Sequence, residues 1–404
     1  MFKRAIFLGA LCAAGMAAAP VSASPATGFL SAVREALAGG YYPKPGVDVG
    51  VIMDRAREDL DRECAALAGD CPLETGVEAA RRAVAALDDT HTRIDRAPPP
   101  LLGAQAHRGP TAASTPLGWM VRAVRGSDRL YVAWVDPDGP AARAGVQRYD
   151  LILAAPDMSA ARLGAFDGPA TVTLSRGGRT FEVTLNPDSG RRGPLPRLDR
   201  VGEVAVLQVP TGAGNGVAQA AHDLLAGAID AGVTGVVLDL RDNGGGGIEC
   251  AAMASAFLDY EVVMTDGAGD RRVLTITPGA VRIAEGGGDE TLSLDRSVRW
   301  TGPLAVLVNR NTGSCAEAVA IQASLAGRAA VIGEDSVGVG NNVIRPVPLP
   351  DGWRLLMTTA YNSTPDGELL PPRPPLDLEV TDDPVAISAT GRDAVLEAAV
   401  AWLG

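Results

Sequence analysis

Lysine is nearly absent from this sequence. Among its 404 residues the only lysines are Lys3 and Lys44, and every other basic residue apart from histidine is an arginine. Histidine is scarce as well, with three residues. Few side chains can therefore act as a neutral base near pH 7, which narrows the choice of a catalytic base.

Several common site patterns are also missing. There is no C-x-x-C or H-E-x-x-H pattern, so we expect no metal site and no cofactor. No G-x-S-x-G motif is present, which argues against a lipase-like α/β hydrolase. The formal net charge of −12 argues against nucleic acid or an anionic membrane as a partner.

The first 23 residues have the character of a secretory signal peptide. Lys3 and Arg4 precede a short apolar stretch, and Val21-Ser22-Ala23 resembles a cleavage site. The apolar stretch is short for a membrane span. We therefore expect cleavage after Ala23 and a periplasmic or secreted protein without an integral membrane segment.

Four cysteines remain after that cleavage: Cys64, Cys71, Cys250 and Cys315. An even number in an exported chain is typical of two disulfides. Cys64 and Cys71 are close in sequence and are the expected first pair.

Hydrophobic periodicity divides the mature chain into three regions. Residues 24–100 show apolar residues at helical spacing, and residues 26–95 in particular are predicted to be helical. Residues 116–187 are rich in alternating strand patterns, with Gly177-Gly178 at a hairpin turn. Residues 199–404 alternate buried strands and helices, which predicts an α/β core.

The middle region, residues 116–187, resembles a PDZ domain. The resemblance depends on Pro140-Ala141, Ala144-Gly145 and Asp150-Leu151-Ile152, although Tyr149 stands where the family usually has glycine. It implies that a loop formed by Leu117, Gly118 and Trp119 holds the terminal carboxylate of a bound peptide.

The chain as a whole resembles the C-terminal processing (tail-specific) serine peptidases. Four elements carry this resemblance. In chain order they are DDTHTRI, the PDZ-like segment, VVLDLRDNGGGG and NTGSCAEAVAIQASLAGRAAVIGE. The resemblance implies a β-α-β layered protease core of the crotonase/ClpP-like type.

Ser314 is the predicted nucleophile, because it lies where a strand passes into a helix and would be exposed at the helix N-terminus. The N–H of Cys315 is expected to stabilise the oxyanion. The family places the second oxyanion donor at Gly245, in the glycine turn.

Cys315 itself admits three interpretations: a disulfide with Cys250, an inert thiol, or a thiol nucleophile. In the family pattern the nucleophile aligns with Ser314. A bridge to Cys250 would join the two halves of the oxyanion hole.

The catalytic base departs from the commoner family pattern. Many members use a lysine in a G-K-G motif, but here that position is Val339. The tricorn-type branch uses a histidine near the N-terminus, and Thr90-His91-Thr92 fits that segment. His91 is therefore the predicted base, ahead of His107 in the linker and His222 on a helix.

Glu368 is the predicted acid that orients His91, with Asp366 as the alternative. Glu317, in the first turn of the helix after Ser314, is expected to cap that helix.

These features predict an exported serine endopeptidase that acts on proteins or peptides with free C-termini. The alternative is a catalytically inactive homologue that binds peptides through its PDZ-like domain. Val339, the uncertain acid and the Cys315-Ala316 pair favour that alternative.

Overall fold

A computed structural model of the chain describes residues 24–67, 69–96, 115–158, 166, 168–188, 193–286 and 288–404. The predicted signal peptide, residues 1–23, and most of the linker at 96–116, including His107, lie outside the described residues. Within the described ranges, no helix is both long enough and apolar enough to cross a membrane.

Three helices form the N-terminal region, as the periodicity predicted: α1 (Pro25–Ala38), α2 (Val49–Ala65) and α3 (Leu73–Ala85). Ser24 caps α1 by accepting the N–H of Thr27, and Asp48 caps α2 in the same manner. Their apolar faces pack together around Phe29, Leu30 and Leu60. The expected pair, Cys64 and Cys71, lies within disulfide-bonding distance between α2 and α3.

The prediction of helix up to residue 95 was wrong at its end. Residues Arg93–Arg96 form strand β1, which pairs antiparallel with the first half of β17 (Trp353–Ser363). The R-I-D-R segment has a single apolar residue, Ile94, which is also its only buried residue. This pairing attaches the N-terminal region to the C-terminal half of the chain.

The middle region is a five-stranded antiparallel sheet: β2 (Trp119–Ala123), β3 (Leu130–Val135), β4 (Leu151–Ala154), β5 (Ala170–Arg176) and β6 (Arg179–Leu185). The short helix α4 (Pro140–Arg143) lies between β3 and β4. The predicted hairpin is confirmed: Arg176 pairs with Arg179, and Gly177 and Gly178 both adopt positive φ.

A six-stranded, mainly parallel sheet forms the centre of the core. Its order is β18 (Leu378–Glu379), β15 (Ala330–Gly333), β14 (Leu304–Val308), β9 (Gly235–Asp239), β8 (Val204–Gln208) and antiparallel β7 (Arg197–Val201). Strands β8, β9 and β14 are buried throughout, as is typical of strands covered on both faces. The helices of this region are α5 (Val217–Asp230), α6 (Ile248–Ala254), α7 (Cys315–Leu325), α8 (Pro384–Thr390) and α9 (Ala394–Leu403).

A seven-stranded antiparallel sheet completes the fold. It contains β1, β17, β10 (Tyr260–Asp266), β11 (Arg271–Thr277), β12 (Ala280–Glu285) and β13 (Gly288–Ser293), and β16 (Asn342–Leu349) pairs with β17. The mixed α/β class is therefore confirmed.

The parallel pairing of β9 and β14 determines where the site lies. Because the two strands are adjacent and parallel, their carboxyl ends meet at one edge of the sheet. The glycine turn follows β9 at this edge, and Ser314 follows β14.

Candidate active site

Ser314 lies at the sharp turn between β14 and α7. Its φ of 53° and ψ of −124° are unusual for a residue with a side chain, and α7 begins at the next residue, Cys315. Such backbone strain is often found at catalytic nucleophiles that end a strand and begin a helix. The helix N-terminus also favours negative charge at this point.

The glycine turn packs directly against Ser314. Gly245 has a φ of 96°, and a Cβ added there would lie 2.7 Å from Ser314 Cβ and 3.0 Å from the backbone N of Cys315. Glycine is therefore required by both conformation and space. The structure thus brings together three predicted residues of the site: Ser314, Cys315 and Gly245.

Asn243 holds the glycine turn in its present conformation. Its Oδ1 accepts the N–H of Gly245 at 2.9 Å, and its Nδ2 donates to the carbonyl of Val209 at 2.9 Å. The carbonyl of Asn243 also accepts the N–H of Gly313 at 2.9 Å. The predicted second oxyanion donor is therefore engaged by a side chain in this conformation.

Glu317 caps α7 and also binds the loop that contains Ser336, Gly338 and Val339. One carboxylate oxygen accepts the N–H groups of Ser314 and Val339, each at 2.9 Å. The other accepts the hydroxyl of Ser336 at 2.5 Å and the N–H of Gly338 at 2.6 Å. Burial raises the pKa of Glu317, although these four hydrogen bonds oppose the shift.

The loop held by Glu317 is the one that carries lysine in many relatives of the predicted family. Here the buried residue Val339 occupies that position. Arg373 covers the loop from outside and donates to the carbonyls of Ser336 and Val337 at 2.9 and 3.1 Å. The lysine within the described ranges, Lys44, pairs with Asp88 instead.

His91 is buried immediately before β1. Its backbone N–H donates to Asp89 at 3.0 Å, and the same carboxylate accepts the hydroxyls of Thr92 and Tyr41. The imidazole Nδ1 is hydrogen-bonded to Oδ1 of Asn342, the first residue of β16. Burial is the main cause that lowers the pKa of His91, so the neutral ring is favoured.

His91 and Ser314 are both linked to the loop at residues 336–342, His91 through Asn342 and Ser314 through Glu317. Asn342 closes that loop next to His91, and Gly340 packs against Glu317, where a Cβ on Gly340 would lie 2.7 Å from Glu317 Cβ. Within the described ranges the imidazole and the Ser314 hydroxyl share no hydrogen bond. The loop at residues 336–342 connects the two residues through Glu317 and Asn342.

Within the described ranges Glu368 makes no hydrogen bond to the imidazole. It lies exposed in a turn whose hydrogen bonds join Thr364 and Glu368, and Asp366 is exposed in the same turn. The side chain that binds His91 Nδ1 is the amide of Asn342. The prediction that an acid at 366 or 368 contacts His91 is therefore not reproduced in this conformation.

The two core cysteines are both free thiols. Cys250, in the first turn of α6, is fully buried, and Cys315 is partly exposed. The interpretation that placed a disulfide between them does not match this structure.

The predicted carboxylate-binding loop forms the turn before β2. Leu117 and Trp119 are buried, and Gly118 has a φ of 69°. The Gly118 N–H donates to the carbonyl of Thr115 at 2.7 Å. A peptide carboxylate would have to compete with that carbonyl for the Gly118 amide.

The five-stranded domain contacts Asp242, which lies two residues before the glycine turn. The Tyr131 hydroxyl donates to Asp242 Oδ1 at 2.6 Å, and Arg122 donates to the Asp242 carbonyl at 2.9 Å. Asp242 also has a positive φ of 66°. The domain thus supports the turn that carries Asn243 and Gly245.

Sequence reasoning missed Asn243 and Asn342. Asn243 directly precedes the glycine run, and Asn342 follows Gly340 by two residues. An amide side chain next to a glycine turn is a signal for local backbone hydrogen bonding and could have identified Asn243. Nothing near Asn342 in sequence points to His91.

Comparison with known proteins relates this chain to peptidase family S41. Residues 200–372 match the model of that family, and this segment contains Gly245, Ser314 and Glu368 but not His91. Together with the similarity to carboxyl-terminal processing peptidases described next, this match shows that the chain belongs to the family.

The chain is 30% identical over 329 residues to carboxyl-terminal-processing peptidase 2, chloroplastic, of Arabidopsis thaliana, which covers 73% of this chain and 58% of the relative. It is also 30% identical to the chloroplastic C-terminal processing peptidase of Tetradesmus obliquus, over 72% of this chain and 64% of that protein. The chain thus spans about three fifths of the length of these two curated relatives.

A solved structure of a photosystem II D1 C-terminal processing protease has the same fold. Its TM-score is 0.51 at 23% identity, and the match covers 94% of this chain and 97% of that chain.

Proposed function

We propose that this protein is an exported serine endopeptidase that cleaves proteins or peptides and recognises their free C-termini through the five-stranded PDZ-like domain. The observation that carries the proposal is the strained backbone of Ser314, which directly precedes α7 and lies against the glycine turn. The similarity to carboxyl-terminal processing peptidases supports the reaction class.

In the proposed mechanism, Ser314 Oγ attacks the scissile carbonyl to form an acyl-enzyme, which water then hydrolyses. The N–H of Cys315 stabilises the oxyanion. The N–H of Gly245 becomes the second donor when it exchanges Asn243 Oδ1 for the oxyanion.

His91 is the proposed base. Because Asn342 Oδ1 can only accept a hydrogen bond, His91 Nδ1 carries the proton and Nε2 is left as the basic nitrogen. The lowered pKa of His91 keeps this nitrogen unprotonated at neutral pH. The loop between Gly340 and Asn342 must bring His91 and Ser314 closer for direct proton transfer, or one water must bridge them.

The second candidate is a peptide-binding homologue without activity. It is favoured by the missing hydrogen bond between Ser314 and His91, by the engaged N–H of Gly245, and by Val339 at the lysine position.

Labelling with a serine-reactive fluorophosphonate and cleavage of an unstructured peptide with an apolar free C-terminus separate these functions. We expect Ser314→Ala to abolish both signals and His91→Ala to reduce cleavage by roughly 10²-fold or more. Ser324→Ala, on the same helix, is the matched control. A wild-type protein that is neither labelled nor active, but binds the free-acid peptide better than its C-terminal amide, would instead be an adaptor.

A further inference from the structure

Two thiols that the proposed mechanism does not use meet beneath the active site. The backbone N–H of Cys250 donates to the carbonyl of Gly247 at 3.0 Å, and Sγ of Cys315 lies 3.9 Å from the same oxygen. The neighbouring Cys315 thiol and burial both raise the pKa of Cys250. One thiol belongs to the helix after the glycine turn, and the other belongs to the residue after Ser314.

Cys250 is in close contact with the backbone that supports this turn. A Cβ on Gly212 would lie 2.5 Å from Cys250 Cβ and 2.9 Å from its Sγ. The N–H of Gly212 donates to the carbonyl of Gly245 at 2.9 Å. A movement of the Cys250 side chain is therefore transmitted to the turn that carries the proposed oxyanion donor.

We propose that Cys250 and Cys315 are a redox modification site, in which an external disulfide converts the two thiols into an intramolecular disulfide that slows acylation of Ser314. The effect on acylation rests on the proposed function. The formation of the bond does not.

The exchange proceeds in two steps. The thiolate of the partly exposed Cys315 attacks a low-molecular-weight disulfide such as glutathione disulfide, which forms a mixed disulfide and releases one glutathione thiolate. Cys250 then loses its proton to solvent and attacks the Cys315 sulfur, which releases the second glutathione. Two protein thiols are oxidised, and one external disulfide is reduced to two thiols.

Bond formation must change the geometry next to the nucleophile. A disulfide bond is about 2.0 Å long, much shorter than a contact between two sulfur atoms that are not bonded. Its closure draws the first turns of α6 and α7 together and shifts the N–H of Cys315. Because a misplacement of about 1 Å can reduce a rate by 10²-fold, we expect labelling of Ser314 to slow by roughly 10- to 100-fold.

The bond is tested on the full-length wild-type chain equilibrated with glutathione at a series of reduced-to-oxidised ratios. After alkylation and digestion, mass spectrometry should find a Cys250–Cys315 cross-linked peptide under oxidising conditions and two alkylated cysteines under reducing conditions. The proposal is overturned if both thiols stay alkylatable, or if Cys315 stops at a mixed disulfide, in buffers where Cys64 and Cys71 are oxidised.

The functional consequence is tested in parallel by the rate of fluorophosphonate labelling. The ratio of the reduced to the oxidised rate should be large for the wild type and close to one for Cys250→Ala. A cross-link without any change in the wild-type rate would overturn the control of acylation and leave the peptidase proposal intact. If Ser314 is unlabelled in both buffers, the proposed function fails, and the mass measurement still decides whether the bond forms.

Discussion

His91 Nδ1 is hydrogen-bonded to the side-chain oxygen of Asn342, which follows it by 251 positions in the chain. The contact joins the N-terminal region to the loop that also binds Glu317. It fixes the tautomer of the only histidine among the described residues that lies beside this loop.

Asn342 is predicted to position His91. Asn342→Leu should lower kcat/KM by roughly tenfold or more, because the ring loses the partner that fixes its tautomer. Asn342→Asp places a carboxylate next to the ring and should raise the pKa of His91, so that the acid limb of the kcat/KM profile moves to higher pH. The profile is measured from pH 5 to 9.

The neighbouring residue provides the control for that experiment. Asn341 donates to the carbonyl of Leu370 at 3.0 Å and makes no contact with His91. Asn341→Asp should therefore leave the acid limb in place. An equal displacement by both aspartate variants would mean that Asn342 acts only through the general charge of the loop.

Glu317 is predicted to fasten the loop at residues 336–340 to α7. In Glu317→Gln an amide NH₂ group replaces one carboxylate oxygen. This group cannot accept hydrogen bonds from the donors around it, so about half of the bonds made by the carboxylate are lost. We expect destabilisation of about 1–3 kcal/mol and faster hydrogen exchange in this loop. Glu334→Gln, which alters an ion pair with Arg310 instead, is the control and should not change exchange in residues 336–340.

Arg241 is predicted to be a structural residue of the core. Its buried guanidinium binds Asp239 at 2.8 Å, Asp382 at 3.2 Å and Asp393 at 2.8 Å, which ties β9 to the segment of the chain that contains α8 and α9. Arg241→Met leaves Asp382 and Asp393 without their cation, while Asp239 keeps its ion pair with Arg148. The free energy of unfolding should fall by about 3–5 kcal/mol in urea denaturation.

An exposed pair gives the comparison for Arg241. Arg392 and Glu397 form a surface ion pair at 2.5 Å. Because water screens such a pair, Arg392→Met should shift the urea midpoint very little. Similar shifts for both variants would show that the Arg241 cluster does not stabilise the fold.

His222 is predicted to make stability depend on pH. Its Nδ1 accepts the N–H of Val298 at 3.1 Å, and its Nε2 donates to the carbonyl of Ala252 at 3.1 Å. Burial lowers the pKa of His222 below the value of 6.5 expected for the unfolded chain. The contribution of neutral His222 to the free energy of unfolding is therefore complete above pH 6.5 and is lost as the pH falls below that value.

The maximum slope from one such histidine is about 1.4 kcal/mol per pH unit. Urea unfolding at pH 8, 7, 6 and 5 should show a smaller loss on acidification for His222→Gln than for the wild type. His91 contributes in the same direction and remains in both proteins. Parallel curves for the two proteins would show that His222 can be protonated in the folded state without cost.

The sequence by itself determined the local elements and the place of Ser314, the proposed nucleophile, between a strand and a helix. Helical spacing predicted α1 to α3, and Gly177-Gly178 predicted the β5–β6 hairpin, because these features depend on neighbours within a few residues. The glycine run and Ser314 each end a buried strand, and adjacent parallel strands place such ends together.

Only the tertiary structure decided which side chains meet across long separations. Asn342 contacts His91, while Glu368 lies exposed in its turn, because the pairing of β1 with β17 and of β16 with β17 sets the register of these distant segments. The same is true of Cys250 and Cys315, which converge on Gly247 as free thiols. Such contacts depend on strand pairing and packing, which one-dimensional periodicity does not encode.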